Sequence, residues 1–409
     1  MTMLERIALA TALCAGGMST SAAAPDAPSP AAATVAHDGN AFAFDLYARL
    51  RAGQSGNIFF SPQSISTALA MTYAGARGET AGEIARTLHF SLPQDQLPAA
   101  YAELSKILNP AGSSRGYRLS MANRLWGQRG EPFLEEFLAV TRRDYGAELG
   151  LVDFRANADA ARAEINAWVL QQTADKIRDL IPQGVLGPDT RLVLANAIYF
   201  RGDWAKQFAK DATTQQPFHV TADRTVTVPL MFAKIPIGFA AHADAGLKVA
   251  ELPYKGDDVS MIVLLPDAID GLAALESQLS VENVGRWTKD LPRRDILVYL
   301  PRFSVESSFG LAPTLSAMGM PLPFSDRADF SGMNGKRDLL ISAVIHKARV
   351  DVDEQGTEAA AATGVVAGVT AARPSEPPTF RADHPFVFLI RHKPTGAILF
   401  LGRMVNPGA

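Results

Sequence analysis

The feature that most constrains this chain is a run of small residues between two segments with the pattern of β-strands. From Glu354 to Ala372 the chain carries only Ala, Gly, Thr and Val apart from Gln355 and two glutamates. Such a run has too little side-chain volume to build a core of its own. It is therefore a loop, a linker, or a strand that must be completed by another part of the chain.

The segments on either side of this run have the pattern of buried strands. Between Val344 and Asp353, apolar and charged residues alternate, which is typical of a strand with one buried face. Residues 386–390 form an unbroken apolar run of the length expected for a strand covered on both faces. The small-residue run is thus tethered at both ends.

With a period of two, the tethered run has one small, uncharged face. This face carries Thr357, Ala359, Ala361, Thr363, Val365 and Ala367. The charged Glu358 lies on the other face, so the segment could enter a sheet without burying an ion. An Ala-rich helix and a flexible linker are alternatives at this point, although Gly364, Gly368 and the later prolines disfavour a long helix.

Two segments resemble a known family. Residues 354–363 resemble the hinge of an inhibitory serpin, and residues 383–390 resemble the strand that follows its reactive loop. The resemblance extends from about Asn40 to Pro407. It implies an α+β serpin fold, with about nine helices around about three β-sheets and an exposed reactive-centre loop at about 354–380. It also implies suicide inhibition of a serine protease, in which the cleaved loop inserts into the main sheet.

The resemblance assigns residues to the moving parts of such a molecule. The hinge is Glu354, Gly356, Thr357, Glu358, Ala359, Ala360, Ala361, Ala362 and Thr363. The shutter beneath the main sheet is Ser61, Ser64, Asn196 and His346. The breach, where the loop first enters, is Trp204, Arg302 and Glu354, with Arg302 facing Glu354 from a strand at 296–303 of the main sheet.

The same resemblance gives the reactive bond. In the usual register it falls at Thr370–Ala371, with Val369 and Ala372 as alternative contact residues. Small side chains here suit an elastase-like or subtilisin-like protease. Cleavage after Arg373 by a trypsin-like protease is disfavoured because Pro374 follows it, which removes the leaving N–H and restricts the preceding residue.

The residues alone leave other roles open for the shutter. Ser61 and Ser64 lie at the start of an apolar helix, where each could simply cap or bond within that helix. Asn196 is the one polar residue within a buried strand and needs a partner. His346 lies on an apolar strand face, where a lone histidine is typically a hydrogen-bonded core residue rather than a catalytic one.

Composition and motifs exclude several function classes. A formal charge of -3 and a pI near 6.2 give no reason to expect nucleic acid or an anionic membrane as partner. The sequence shows no nucleophile elbow, zinc-protease helix, phosphate loop or histidine pair at metal-ligand spacing. We therefore expect no enzymatic activity, no metal and no cofactor. Residues 99–110 offer only Lys106, so activation by heparin is not expected.

The N-terminus is predicted to be separate from the folded unit. Residues 1–24 have the layout of a secretory signal peptide, which predicts a secreted or periplasmic protein. Its apolar run is too short for a membrane span. The chain's one cysteine, Cys14, follows Leu13, which disfavours lipidation. Residues 25–39, rich in Ala and Pro, are predicted to be a disordered lead-in to a single serpin domain at 40–409.

Other functions remain open. A non-inhibitory serpin would bind or store and would be cleaved without trapping the protease. A cross-class inhibitor would trap cysteine proteases. This alternative stays open because the loop sequence does not show whether the attacking nucleophile is a serine or a cysteine. A hydrolase would need turnover that depends on His346 or a nearby serine. We expect the inhibitor to be a monomer that forms a covalent complex with its target protease.

Overall fold

The computed structural model describes residues 27–109, 116–357 and 376–408, and these form one α+β unit. The α-helices in the described part are α1 (Pro30–Gly53), α2 (Pro62–Gly75), α3 (Gly78–Thr87), α4 (Leu97–Leu108), α5 (Glu135–Tyr145), α6 (Phe154–Gln172), α7 (Leu272–Ser277), α8 (Val281–Thr288), α9 (Ala312–Ala317) and α10 (Ser331–Asn334). Short 3₁₀ turns lie at Lys210–Ala212 and Leu322–Phe324.

The strands divide between two hydrogen-bonded sheets. They are β1 (Ile58–Phe60), β2 (Tyr117–Gln128), β3 (Gly150–Val152), β4 (Leu192–Asp203), β5 (Thr214–Thr221), β6 (Arg224–His242), β7 (Leu247–Pro253), β8 (Val259–Pro266), β9 (Arg293–Pro301), β10 (Phe303–Gly310), β11 (Ile341–Val352), β12 (Gly356–Thr357), β13 (Thr379–Arg381), β14 (Phe386–His392) and β15 (Ile398–Met404).

The larger sheet has nine strands. Its order is β1-β15-β14-β8-β7-β6-β9-β13, with β5 beside β6. Strand β6 pairs with β5 through residues 224–230, with β9 through residues 230–238 and with β7 through residues 238–242. Three sheets were expected, and the described strands form two, because β6 pairs in turn with β5, β9 and β7 and so keeps these strands in one sheet.

The smaller sheet carries the segment before the small-residue run. Its order is β10-β11-β4-β2-β3, with β12 paired to β4. Strand β10 at Phe303–Gly310 is its edge, whereas β9 at Arg293–Pro301 belongs to the nine-stranded sheet. The expectation of one strand of the main sheet at 296–303 is therefore wrong. Arg302 lies at the junction, where the chain passes from one sheet to the other.

Both faces of the six-stranded sheet are covered. Along β4, Ile198 and Phe200 belong to the large core that also contains α2 residues, while Ala197 and Tyr199 pack in a second core with Ile165 of α6. Because side chains alternate along a strand, one strand can supply both cores. Any strand added beside β4 must therefore offer small or apolar side chains on both of its faces.

The disordered lead-in predicted at 25–39 is wrong for residues 30–39, which form the start of α1. Ser29 caps the helix, its Oγ accepting from the Ala32 N–H at 3.2 Å while its own N–H and O–H donate to Glu103 at 2.8 and 2.6 Å. Val35 is buried. A Ser-Pro cap ahead of alanines favours a helix once tertiary contacts hold it, so the alanine-rich composition of this stretch does not indicate disorder.

Candidate functional site: the hinge, breach and shutter

The hinge begins with a tight turn between β11 and β12. Asp353 Oδ1 accepts the N–H groups of Gln355 and Gly356 at 2.9 and 3.2 Å, and the Asp353 N–H donates to the Gly356 carbonyl at 2.8 Å. Gly356 has φ +149°, and a Cβ there would lie 2.0 Å from the Gly202 carbonyl oxygen. Only glycine can therefore bring the chain this close to β4.

The turn delivers the chain into the sheet antiparallel to β4. Gly356 pairs with Asp203 and Thr357 with Gly202. Below this point β4 pairs directly and in parallel with β11, from Ile341 opposite Leu192 to Val350 opposite Phe200. No strand lies between β4 and β11 along that register. The sheet is thus closed below the hinge and parts only at its upper end, where β12 enters.

Glu354 is fixed inside the breach. It is 3 % exposed, its Oε1 accepts from Thr213 Oγ1 at 2.8 Å, and its carbonyl accepts from the Phe208 N–H at 2.8 Å. Arg302 Nη1 lies 3.6 Å from Glu354 Oε1, so the two side chains face each other as the sequence predicted. The Arg302 side chain is 51 % exposed, and a partner so open to water adds little stability. Thr213, which the sequence did not suggest, holds the carboxylate more closely.

Trp204 holds the turn between β11 and β12 through two hydrogen bonds. Its indole N–H donates to the Asp353 carbonyl and its backbone N–H to the Gln355 carbonyl, both at 2.9 Å. Its ring stacks on Tyr254 with centroids 4.6 Å apart and planes 10° apart. Because both hydrogen bonds go to backbone carbonyls of the turn, Trp204 fixes the path of the chain rather than any one side chain there.

The four predicted shutter residues are in mutual contact. Asn196 Nδ2 donates to Ser64 Oγ at 2.8 Å and to the Ser64 carbonyl at 3.0 Å, and its Oδ1 bonds His346 Nδ1. The Ser61 N–H donates to His346 Nε2 at 3.1 Å. Ser61 Oγ also caps α2, accepting from the Ser64 N–H at 3.3 Å. Helix α2 and its cap are therefore bonded to β4 and β11 at the directly opposed pair of Asn196 and His346.

These partners define the state of His346. Nε2 accepts a backbone N–H, so the proton of the neutral ring is on Nδ1 and is donated to Asn196. Complete burial lowers the pKa of His346 from 6.5 to about 3, because the charged ring would lose its hydration. A histidine held neutral by an amide and a backbone N–H is a structural bridge. Both of its ring nitrogens are occupied, Nε2 by the Ser61 backbone N–H and Nδ1 by Asn196 Oδ1.

Asn123 on β2 is a fifth member of this cluster that the sequence analysis missed. It lies opposite Asn196 in the β2–β4 register, and its Oδ1 accepts from Ser64 Oγ at 3.0 Å. Within β2 it shares a face with Leu119 and Leu125, so it is a polar residue on an apolar strand face. The reasoning that singled out Asn196 would have found it.

The other predicted site residues lie outside the described part of the chain. These are Glu358, Ala359, Ala360, Ala361, Ala362, Thr363, Val369, Thr370, Ala371 and Ala372. In the described residues, no group of three or more His, Cys, Asp or Glu side chains could hold a metal ion. No helix of the described segments has the length and apolarity needed to cross a membrane.

The chain belongs to the serpin family. The family described as Serpin (serine protease inhibitor) matches residues 37–407. The leukocyte elastase inhibitor of Bos taurus is 46% identical over 373 residues, covering 90% of this chain and 97% of that protein, and the Homo sapiens protein of the same name is 44% identical over 374 residues, with the same coverage. Among solved structures, uncleaved ovalbumin has a TM-score of 0.84 at 36% identity, covering 91% of this chain and 100% of that chain.

The comparison contradicts the predicted location. The alignments cover 97% of the elastase inhibitors from cattle and human, and this leaves on the order of ten residues unmatched, fewer than the roughly 15 to 30 of a signal peptide. These relatives therefore have no segment equivalent to residues 1–24. The assignment of this chain to a secreted or periplasmic location, made from that segment alone, is wrong on this comparison.

Proposed function

We propose that this protein is a suicide inhibitor of elastase-like or subtilisin-like serine proteases, cleaved at Thr370–Ala371 and acting as a monomer without heparin. One observation carries the proposal: β12 has begun an antiparallel pairing with β4, while β4 and β11 are still bonded to each other directly below it. The hinge is therefore positioned to extend into the sheet, and the sheet must open to receive it.

The register of β12 predicts where each loop residue would go. Continuing from Gly356 opposite Asp203, Ala367 would lie opposite Leu192, so the inserted segment would match the full length of β4. Thr357, Ala359 and Ala361 would face the core beneath α2. Thr363 would lie opposite Asn196, where its hydroxyl could replace the Asn196–His346 bond that opening must break. The small residues of the run suit both covered faces of this sheet.

Insertion would carry the cleaved end across the molecule. From Gly356 to Thr370 a strand extends about 45 Å, at about 3.3 Å per residue. In the covalent step, the protease serine Oγ attacks the Thr370 carbonyl, the Thr370–Ala371 C–N bond breaks, and the serine proton passes through the protease's histidine to the Ala371 nitrogen. The resulting ester would be drawn to the far end of the sheet before water hydrolyses it.

Two considerations support the protease class. Thr370 and its neighbours are small, which suits a shallow specificity pocket. Two relatives, from Bos taurus and Homo sapiens, at 46% and 44% identity, are each named leukocyte elastase inhibitor. Inhibition of cysteine proteases is a second candidate, since a thioester could form at the same carbonyl. Binding or storage without inhibition is a third.

The test is to mix the protein with elastase, subtilisin, trypsin and a papain-like protease, resolve the products on denaturing gels and map the cut by mass. We expect a gel-stable complex with elastase or subtilisin and a new end at Thr370. Complexes with the papain-like enzyme alone would favour the cross-class candidate. Cleavage without any complex would favour a non-inhibitory serpin, and a cut after Arg373 would contradict the assigned bond.

A charge on the inward face of the loop should abolish trapping. Thr363→Arg would place a guanidinium beneath the sheet, where an unpaired charge costs several kcal/mol. We expect the yield of gel-stable complex to fall at least about tenfold, with cleaved inhibitor accumulating instead. Ser375→Arg is the matched control, because residue 375 follows the scissile bond and is not inserted. Equal complex yields from both variants would exclude the insertion register.

A further inference from the structure

One surface loop far from the hinge exposes an aliphatic side chain to water. Residues 182–189 lie between α6 and β4, and each of them is exposed or half-buried. We call this stretch the α6–β4 loop. Val185 lies near its middle and is 41 % exposed. The other large apolar side chains that are comparably exposed in the described chain are Leu134, Leu151 and Ile269.

Those three side chains belong to backbone that is already hydrogen-bonded. The Leu134 N–H donates to the Met333 carbonyl at 2.7 Å. Leu151 lies within β3, opposite Gly127 of β2. Ile269 lies in the turn between β8 and α7, which a backbone hydrogen bond of 3.0 Å closes. A protease would have to break these bonds before the chain could enter its substrate cleft.

The backbone around Val185 carries no comparable bonds. Residues 183–184 form a turn, yet no backbone group from Pro182 to Leu186 makes a hydrogen bond of normal geometry with any described residue. The α6–β4 loop is long enough to lie extended along a protease cleft on both sides of Val185. Exposed, weakly bonded loop tips of this kind are the preferred sites of proteolytic nicking.

Both ends of the α6–β4 loop are fixed. On one side, the Ile181 N–H donates to Asn166 Oδ1 at 2.9 Å, and the Ile181 carbonyl accepts from Asn166 Nδ2 at 3.0 Å. On the other side, Thr190 is buried and its Oγ1 accepts from the Gly187 N–H at 3.0 Å. A protease attached at Val185 would therefore stay at the surface, where water can reach the acyl bond. Cleavage here would be ordinary turnover without trapping.

The sequence of the α6–β4 loop suits the same class of protease as the reactive loop. Val185 is a small aliphatic residue, and no charged residue lies between Pro182 and Pro188. Ile269, by contrast, has aspartates two residues before it and one residue after it. A shallow apolar specificity pocket accepts a valine and disfavours charge beside it.

We propose that Val185–Leu186 is a second cleavage site, cut by elastase-like or subtilisin-like serine proteases as an ordinary substrate. The protease serine Oγ attacks the Val185 carbonyl, the C–N bond to Leu186 breaks, and the serine proton passes to the Leu186 nitrogen. Water then hydrolyses the ester and leaves a carboxylate on Val185. This inference rests on the proposed function for the class of protease. The site would consume inhibitor without inactivating the protease.

The second site is remote from the hinge. Strand β4 runs from Leu192, just after the α6–β4 loop, to Asp203, which pairs with Gly356. At about 3.3 Å per residue, the two ends of β4 are on the order of 35 Å apart. The α6–β4 loop and the hinge therefore lie at opposite ends of one strand, and the cuts at the two sites can be measured separately.

The experiment follows the appearance of a new N-terminus at Leu186 by mass, with catalytic amounts of elastase or subtilisin. The variants are Val185→Asp and, as matched control, Ile269→Asp, which places the same charge at another exposed aliphatic position. We expect the wild type to give the Leu186 terminus and Val185→Asp to lower its rate of formation at least about tenfold. Ile269→Asp should stay within about twofold of the wild type, because it lies outside the α6–β4 loop.

A third variant separates this inference from the proposed function. Ala371→Pro removes the leaving N–H at the proposed reactive bond, and it should still be cut at Val185. A gel-stable complex with no Leu186 terminus from either protease would overturn the inference and leave the proposed function intact. A Leu186 terminus without any complex would support the inference and contradict the proposed function. Equal rates for the wild type and Val185→Asp would also overturn the inference.

Discussion

Gly356 is the residue at which backbone geometry most directly controls the hinge. Its lack of a Cβ lets the chain pass within contact of Gly202, and the turn it closes receives hydrogen bonds from Trp204 and Phe208. A positive φ and the antiparallel pairing with β4 therefore both depend on this glycine.

Gly356→Ala should move the hinge away from β4. The added methyl overlaps the Gly202 carbonyl, and the strained conformation costs about 1–3 kcal/mol. We expect a lower temperature of native unfolding and a larger fraction of inhibitor cleaved without forming a complex, measured by titration against a fixed amount of protease. Gly53→Ala is the control, since a Cβ there meets nothing within 4 Å. Equal complex yields from the two variants would contradict a role for Gly356 in entry.

The protonation of His346 should make the shutter sensitive to acid. Its pKa is about 3 in the folded protein and about 6.5 when unfolded, so between these values the unfolded chain binds more protons. Stability from this group is therefore complete above pH 6.5 and is lost as the pH falls towards 3. The slope approaches about 1.4 kcal/mol per pH unit in that window.

The measurement is the rate of unfolding in urea at pH 7.5, 6 and 5, for the wild type, His346→Gln and His37→Gln. We expect the advantage of the wild type over His346→Gln to shrink as the pH falls, because only the wild type has to bury a titrating ring. His37→Gln is the control for replacing an exposed histidine. A constant difference between wild type and His346→Gln across the three pH values would rule out the acid-sensitive shutter.

At the scale of elements, the parallel pairing of β4 with β11 is the contact that insertion must break. It runs from Leu192 to Phe200 on β4 and includes the shutter pair of Asn196 and His346. A parallel ladder is slightly less stable per residue than an antiparallel one, and an inserted strand would replace it with two antiparallel ladders. Insertion would therefore increase the number and stability of backbone hydrogen bonds in the sheet. The barrier to insertion is the separation of β4 from β11.

A cross-link between these strands should block inhibition reversibly. Ala197 and Lys347 are directly opposed in the register, so the pair Ala197→Cys and Lys347→Cys can form a disulfide across the closed sheet. When oxidised, this variant should be cleaved without trapping the protease, and reduction should restore the gel-stable complex. Each single cysteine variant serves as a control. Full trapping by the oxidised form would show that insertion does not pass between β4 and β11.

At the scale of the whole molecule, the six-stranded sheet is the part that the proposed insertion would complete with one more strand. The described residues form a six-stranded sheet between two cores, in which β4 pairs directly with β11 and the described part of the hinge, Gly356 and Thr357, pairs with the end of β4. If the proposed insertion is correct, the native state is retained by a kinetic barrier and is not the state of lowest free energy. Heat resistance then depends on whether the loop is intact.

Cutting the loop should stabilise the protein. Insertion of residues 356–367 would add on the order of ten backbone hydrogen bonds at about 1 kcal/mol each, and so raise the unfolding temperature by roughly 20 °C or more. Calorimetry before and after limited proteolysis measures this shift, with the Thr363→Arg variant as the control that should not gain. An unchanged unfolding temperature for the cut wild type would exclude a native state that is retained only by a kinetic barrier.

The sequence by itself determined the local chemistry of this protein. The small uncharged face of the run, the strand before it, the cap at Ser61 and the polar Asn196 in a buried strand can all be inferred from residue type and period, because they depend on near neighbours in the chain. It misjudged the start of α1, whose cap depends on Glu103, and it placed 296–303 in the wrong sheet.

Only the tertiary structure decided what those segments meet. Asn123 joins the shutter because β2 lies beside β4, and Thr213 rather than Arg302 holds Glu354 most closely because the 3₁₀ turn at Lys210–Ala212 brings it there. The entry of β12 at Gly202 depends on where β4 and β11 part. Such contacts join residues far apart in the chain, 59 positions for Ser64 and Asn123 and 141 for Thr213 and Glu354. Strand order, which sets these contacts, is not encoded in any local pattern.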